Sequence, residues 1–359
     1  MKRQWLYCGL ATVGFLSQST VSTAQVNYQT TSTVAPVTPA SARVAAIGSG
    51  GCDTNGCDTG VSSCCDGVGS GNFAGGGGLL GGGLLGGGML GGGLLGFIKP
   101  SDHCYDDFIS PMTNPTHFED PRTLTEARFI YLRHKVPQTA LGGEINVFVL
   151  QLRAAVTDRL SIIATKDGYI SSTNPLIDDG WADLAAGLKY NLLSDPAGQG
   201  LLSAGFTYEM TNGSQRTLQG NGDGVFNFFV SGAQKLNDSA HYIGSFGYRA
   251  PLDTAAETSM LFWSHHVDRK ITNRFYLVGE ANWYHWVGSG TGGVPGIEGG
   301  DLFNLGSTNV TGNDIVTTAV GAKFKPSGHQ EIGVAWEFPV TERRDVLDNR
   351  LTFDWIIRY

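Results

Sequence analysis

The sequence predicts an all-β chain. The expected architecture is an antiparallel up-and-down transmembrane β-barrel of about twelve strands, preceded by a disordered leader rich in glycine, leucine and cysteine. Three observations carry this expectation. Apolar and polar side chains alternate along segment after segment beyond residue 127. The connections between those segments are alternately short and long. The last nine residues, Leu351 to Tyr359, are apolar or aromatic at every second position.

Residues 1–24 read as a secretory signal peptide. Lys2 and Arg3 precede an apolar run from Trp5 to Leu16, and Ser22-Thr23-Ala24 supplies a small-x-small cleavage site before Gln25. The run is too short to span a bilayer, which needs roughly 20 residues. Cys8 lies inside it with no small-residue site before it, so a lipoprotein anchor is not expected.

Residues 25–100 form the low-complexity leader. Leu79-Leu80, Leu84-Leu85, Met89-Leu90 and Leu94-Leu95 recur between triple glycines. That period suits neither a helix nor a strand, and glycine is costly to order. The leader reads as a mobile linker, or as a contact with membrane or a partner. Cleavage leaves Cys52, Cys57, Cys64, Cys65 and Cys104, all ahead of the β-rich region. Disulfides among them suit an oxidising periplasm, and their spacing matches no zinc pattern. Residues 101–126 are punctuated by Pro111, Pro115 and Pro121. Extended or turn structure is expected there, either inside the barrel or beneath it.

From residue 127 strands follow one another. The clearest alternations fall at 181–192, 201–211, 314–325, 330–340 and 350–359, because successive strand side chains point to opposite faces. In the first of these, Ala182, Leu184, Ala186, Leu188, Tyr190 and Leu192 are expected on one side. Less regular strands are expected near 127–136, 144–156, 159–170, 223–236, 240–249, 258–267 and 274–288. Longer links are expected at 136–143, 171–180, 212–222, 250–257, 289–313 and 341–347, with short turns between them. Membrane barrels have this rhythm, with short periplasmic turns and longer outer loops. An even strand count puts both ends of the barrel in the periplasm. Closure has a direct cause: an open sheet edge in hydrocarbon would strand its backbone groups without water.

Composition agrees. Mean hydropathy is −0.07, a blandness that barrels show because only alternate residues face lipid. Charged residues are 16% of the chain, below the rough quarter of soluble domains. The net charge of −8 offers no basic footprint for nucleic acid.

The polar register of the strands carries charges of both signs: Asp183, Lys189, Glu209, Lys323, Lys325, Glu331, Glu337, Arg350, Asp354 and Arg358. These are the lumen-lining candidates. They would either select solutes in a pore or pair with one another in a filled interior. Mixed signs argue against strong ion selectivity. Trp181, Trp263, Trp283, Tyr284, Trp286, Trp336, Trp355 and Tyr359 are candidates for the aromatic girdles at the membrane interfaces. His265 and His266 should face opposite sides and so should not share a metal. Asn212-Gly213-Ser214 and Asn221-Gly222-Asp223-Gly224 read as turns. Neither a catalytic site, nor a cofactor, nor a metal centre is assigned.

The chain resembles the broad class of bacterial outer-membrane β-barrels. The resemblance rests on the signal peptide, the strand rhythm over 127–359 and the ending Phe353, Trp355, Ile357, Tyr359. In that class such an ending is the signal read by the barrel-assembly machinery. More loosely, the chain is similar to the outer-membrane transporters of the meta-pathway of phenol degradation. The resemblance implies a place in the outer membrane among its lipids, a leader in the periplasm, and passage of small molecules, apolar ones included. A structural barrel anchoring the leader to a periplasmic or cell-wall partner is the alternative. A barrel enzyme acting on lipid is a third reading.

Overall fold

A computed structural model describes residues 96–359. The signal peptide, nearly all of the leader, and Cys8, Cys52, Cys57, Cys64 and Cys65 lie outside the described residues.

Twelve antiparallel strands form a closed barrel. In chain order the first four are β1 (Glu126–Lys135), β2 (Glu144–Ala155), β3 (Leu160–Lys166 continued by Tyr169–Ser172) and β4 (Gly180–Trp181 continued by Leu184–Asp195). Then come β5 (Gly200–Met210), β6 (Val225–Asn237), β7 (Ala240–Pro251) and β8 (Ser259–Lys270). The last four are β9 (Phe275–Gly288), β10 (Asp314–Ser327), β11 (Gln330–Pro339) and β12 (Asn349–Arg358). Each strand pairs with its neighbour in the chain. Closure comes from β1 on β12, in register from Glu126↔Arg358 to Lys135↔Asn349.

The two ends of the barrel differ. Short turns, such as Asn237 to Ala240 and Ser327 to Gln330, mark the periplasmic end. The residues before β1 sit at this end, where the Ser101 N–H donates to the Tyr359 carbonyl at 2.7 Å. The outer end carries the long connections, the longest between Gly288 and Asp314.

The strand period sorts the side chains. Phe129, Phe148, Phe246, Trp263, Trp336 and Trp355 are exposed on the outer wall. Phe353, Ile357 and Tyr359 are exposed with them. Arg128, Arg153, Ser264, His266, Glu280 and Asp354 are buried on the inner face.

Three expectations need correcting. Tyr284 and Trp286 are not on the outer face; both are buried inside. They share the inward register of β9 with Glu280 and Asn282, so strand parity prevails over the aromatic type. Ala182 does not continue the outward row of Leu184 and Leu188; it is buried while they are exposed. The alternation slips there because β4 is interrupted between Trp181 and Leu184. The outer link before β4 is also shorter than expected, since Tyr169–Ser172 and Gly180–Trp181 are both strand.

That interruption faces another in the neighbouring strands. Leu152 pairs with Ala164, and Phe148 pairs with Tyr169. Between these points β3 has one residue more than β2, which makes a bulge. Asp167-Gly168 occupies it, with Gly168 at φ +114. Side chains replace the missing ladder partners. The Leu150 N–H donates to Asp167 Oδ1 at 2.9 Å, and Gln151 Nε2 to the Thr165 carbonyl at 2.5 Å. The Leu184 N–H donates to Asn212 Oδ1 at 3.0 Å. A membrane wall requires such replacements, because hydrocarbon offers no partner.

Candidate functional site

The lumen is filled from both ends. From the periplasmic end, residues 101–125 enter as a hairpin and return to start β1. Its limbs are tied at the base, where the Asp102 N–H donates to the Thr123 carbonyl at 2.9 Å. Higher up, Arg122 donates to the Phe108 carbonyl at 2.9 Å and pairs with Asp120 at 2.7 Å. The apex turns at Asn114, whose φ of 49° is one that asparagine tolerates. Asn114 Nδ2 donates to Ser264 Oγ at 2.8 Å, midway along β8. His117 stacks on Phe262 at 4.6 Å between ring centroids. Burial, reinforced by Arg249, pushes its imidazole down to about 3, so the ring stays neutral.

The three prolines suit this burial. They bring no N–H into the interior, and each offers its carbonyl to the wall. Arg128 donates to the Pro111 carbonyl at 2.7 Å, Gln151 to that of Pro115 at 2.8 Å, and Ser203 to that of Pro121 at 2.5 Å. Glu280 accepts from the Met112 and Thr113 N–H groups at 2.8 and 2.7 Å. Glu119 is the electrostatic centre. It meets Arg153 at 2.6 Å and Lys189 at 2.8 Å. Burial alone would raise its pKa, but the two cations overcome this and hold the carboxyl below its ordinary range.

From the outer end, residues 289–313 fold inward. Asp301 makes a two-pronged pair with Arg350, at 2.7 and 2.9 Å. Burial opposes its charge, yet Arg350 keeps the carboxyl below its usual value. The next residues, Leu302 and Phe303, are buried against Ile130, Leu132, Val147 and Ile170. The inner face of β1 to β4 is therefore apolar in its outer half, unlike the charged register elsewhere.

All ten lumen-lining candidates are buried. Lys189, Lys325, Glu331 and Arg358 touch the hairpin directly: Lys325 through the Asp106 carbonyl, Arg358 through Ser110 Oγ at 2.8 Å, and Glu331 through the Ser110 N–H at 3.2 Å. Lys323 and Asp354 pair at 3.0 Å, and Asp354 also meets Arg128 at 2.8 Å. Arg350 and Glu337 lie 3.5 Å apart near the outer loop. Glu209 pairs with Lys166, and Asp183 accepts from the Gly213 and Gly220 N–H groups at 2.7 and 2.9 Å. The last two thus belong to the outer end rather than to the hairpin.

No protein-family model and no curated protein matches the chain. Among solved structures it is similar to an outer-membrane channel from Pseudomonas putida F1, at 11% identity, over 70% of this chain and 100% of that one, with a TM-score of 0.50. It also aligns with the NanC porin at 7% identity, over 66% of this chain and 98% of that one, with a TM-score of 0.42. The fold is that of an outer-membrane β-barrel.

Two large hollows with mainly apolar linings remain on the barrel. One is a cup of about 410 Å³ among the outer loops, lined by Val136, Leu141, Leu176, Leu218, Phe303 and Leu305 among others. Its size suits a small ligand. The other, about 760 Å³, lies on the outer wall over the bulge, among Phe129, Phe148, Leu150, Trp181 and Trp355. Sequence reasoning missed the hairpin's own ion pairs. It also missed the bulge, although Asp167-Gly168 is a turn-type dipeptide within a strand pattern and could have signalled one. Among the described residues no cluster of His, Cys, Asp and Glu is arranged to hold a metal ion.

Proposed function

We propose that this chain is an outer-membrane channel for small molecules, apolar ones included, held shut by its own residues 101–125. One observation carries the reading. The plugging hairpin is held in the lumen chiefly by side chains, with backbone pairing to the wall confined to its base. A plug fixed that way can leave without opening the barrel. The apolar cup above it supports capture of weakly polar solutes from outside. Solutes the size of a phenol would suit the cup, so the looser similarity to the phenol meta-pathway transporters belongs to this proposal. The leader would lie in the periplasm, continuous with the hairpin at the short-turn end. Phe353, Trp355, Ile357 and Tyr359, a contiguous exposed row, would be what the assembly machinery reads.

The test is single-channel recording in planar bilayers, with the full chain and with Glu119→Ala, which removes the hairpin's central pair. The expected result is rare steps for the parent and frequent steps for the variant. Silence in both, with heat-modifiable barrel migration on gels, would instead favour a structural barrel that anchors the leader. The ion-paired, filled lumen is what such a barrel would also show.

A further inference from the structure

Three of the hollows on the β1 to β4 side share walls. Phe303 separates the outer cup from a small interior void of about 20 Å³. That void and the hollow on the lipid-facing wall have Val149, Asp167 and Ala182 in common. These three residues lie where the sheet is interrupted. Val149, Leu150 and Gln151 have no ladder partner on β3. Side chains alone bridge the gap, through Asp167 and Gln151. Val149 belongs to the inward register, yet it is only partly buried.

We propose that solute admitted at the outer cup leaves sideways through the wall at the Asp167–Gly168 bulge, into the hydrocarbon of the membrane, and not down the barrel axis. The proposal rests on the channel reading above and supplies its route. The solute class follows from the lining: weakly polar molecules of about one aromatic ring. Along the axis such a molecule would meet the buried charges of Glu119, Asp120, Arg122 and Lys189 and could solvate none of them. Sideways it meets Ile130, Ile170 and Ala182, then the outward aromatics. The interior void has room for about one water, so passage requires Phe303 and Leu302 to swing. Both are carried by a loop, not by a strand. An acidic side chain in a membrane wall calls for a role. Asp167 here caps the Leu150 N–H in place of a ladder bond, so the gap need not be closed by backbone. Strands β2 and β3 can then part locally while the pairs at each end persist.

The experiment follows entry of 1-N-phenylnaphthylamine, which fluoresces on reaching hydrocarbon, into cells bearing the full chain in their outer membrane. Cells with an empty vector are the reference. Ala182→Phe fills the shared wall and is checked for heat-modifiable migration. Should it not assemble, Phe148→Cys is blocked after assembly with a bulky membrane-soluble maleimide, the parent being treated in parallel. Faster entry with the parent than with the empty vector, cut at least fivefold by either block, is the expected result. Entry that both blocks leave at the parent rate would overturn the sideways route and leave an axial channel. No entry above the empty vector, while Glu119→Ala conducts in planar bilayers, would also overturn it and keep the channel reading. No dye entry and no conductance would end both.

Discussion

The two halves of the barrel wall solve the same membrane problem differently. From β6 to β10 the ladders run without interruption over most of their length; β7 and β8 pair residue for residue from Arg249↔Met260 to Ala240↔Arg269. Inside that half lie His241, Asp268, His266 and Glu280, hydrogen-bonded to one another or to the hairpin. From β2 to β4 the ladder breaks, the inner face turns apolar, and side chains take over backbone bonds. Continuous pairing makes a wall that only global unfolding opens. A wall held locally by side chains can open on its own, because each such bond contributes only about 1 kcal/mol. The difference locates where movement is cheap, and it coincides with the apolar surface.

The largest test of that contrast is on the hairpin that both halves grip. Glu119→Ala leaves Lys189 and Arg153 short of a carboxylate, although Arg153 keeps Glu126 at 3.2 Å. Removing one partner of a buried pair costs about 3–5 kcal/mol. The hairpin should then become cleavable by protease in reconstituted protein while the barrel itself stays folded. Cleavage no faster than in the parent would mean that the unbroken half holds the hairpin alone. Next comes Arg350→Ala, which strands Asp301 and frees the loop that carries Leu302 and Phe303 over the apolar half. A loss of about 3 kcal/mol is expected. It should appear as faster proteolysis within 289–313, with residues 101–125 still protected.

A smaller effect compares one glycine from each half. At Gly168 an added Cβ would fall 2.2 Å from the Phe148 carbonyl oxygen, at a φ of +114°. Gly168→Ala should therefore cost about 1–3 kcal/mol, read as a lower urea midpoint on folding gels. At Gly279, on β9, an added Cβ meets nothing within 4 Å. Gly279→Ala should be neutral, or stabilising by about 0.4–1 kcal/mol. Equal losses at both positions would erase the distinction between the halves.

How much of this was legible in the sequence depended on strict alternation, not on which half of the wall a strand belongs to. Strict alternation in 201–211, 314–325 and 330–340 gave strands and faces, because one period governs every residue. The strands β6 to β9 pair continuously over most of their length although their sequences alternate less regularly, and the interruption between β2 and β4 was not legible. Ala182 was assigned to the wrong face because it lies in the interruption of β4 between Trp181 and Leu184, and periodicity cannot show where a strand is interrupted. The inward charges were legible as a set, but not their partners. Glu119, Asp120, Arg122 and Asp301 lie outside any strand, where no period assigns a side chain to the lumen. The prolines at 111, 115 and 121 signalled an extended segment. Only the fold shows that their carbonyls, not their rings, are what the wall binds.

The smallest effect is pH dependence, and it belongs to the outer loops. Burial, with Glu298 adding to it, pushes the Asp345 carboxyl up to about 6 even against Arg343. Burial and the nearby Glu209 push Glu257 up to about 7. Both values lie above those of an unfolded chain, so the packed loops favour the neutral acids. The resulting stability is fully present below about pH 4. It is lost as pH rises through 6 and then 7. Asp345 Oδ2 accepts the Glu298 N–H at 2.9 Å, which ties this titration to the loop bearing Phe303. Amide exchange at Glu298 and Ser307 should therefore quicken several-fold between pH 5 and pH 8, beyond the intrinsic rise measured on a peptide. Asp345→Asn and Glu257→Gln together should flatten that excess. Glu119, held below its ordinary range, runs the other way: its contribution is present above about pH 4 and is lost only as pH falls further. Raising the pH should thus loosen the cover over the apolar half while the hairpin stays locked. An excess that persisted in the double variant would place the sensor elsewhere and leave the two coverings of the lumen uncoupled from these acids.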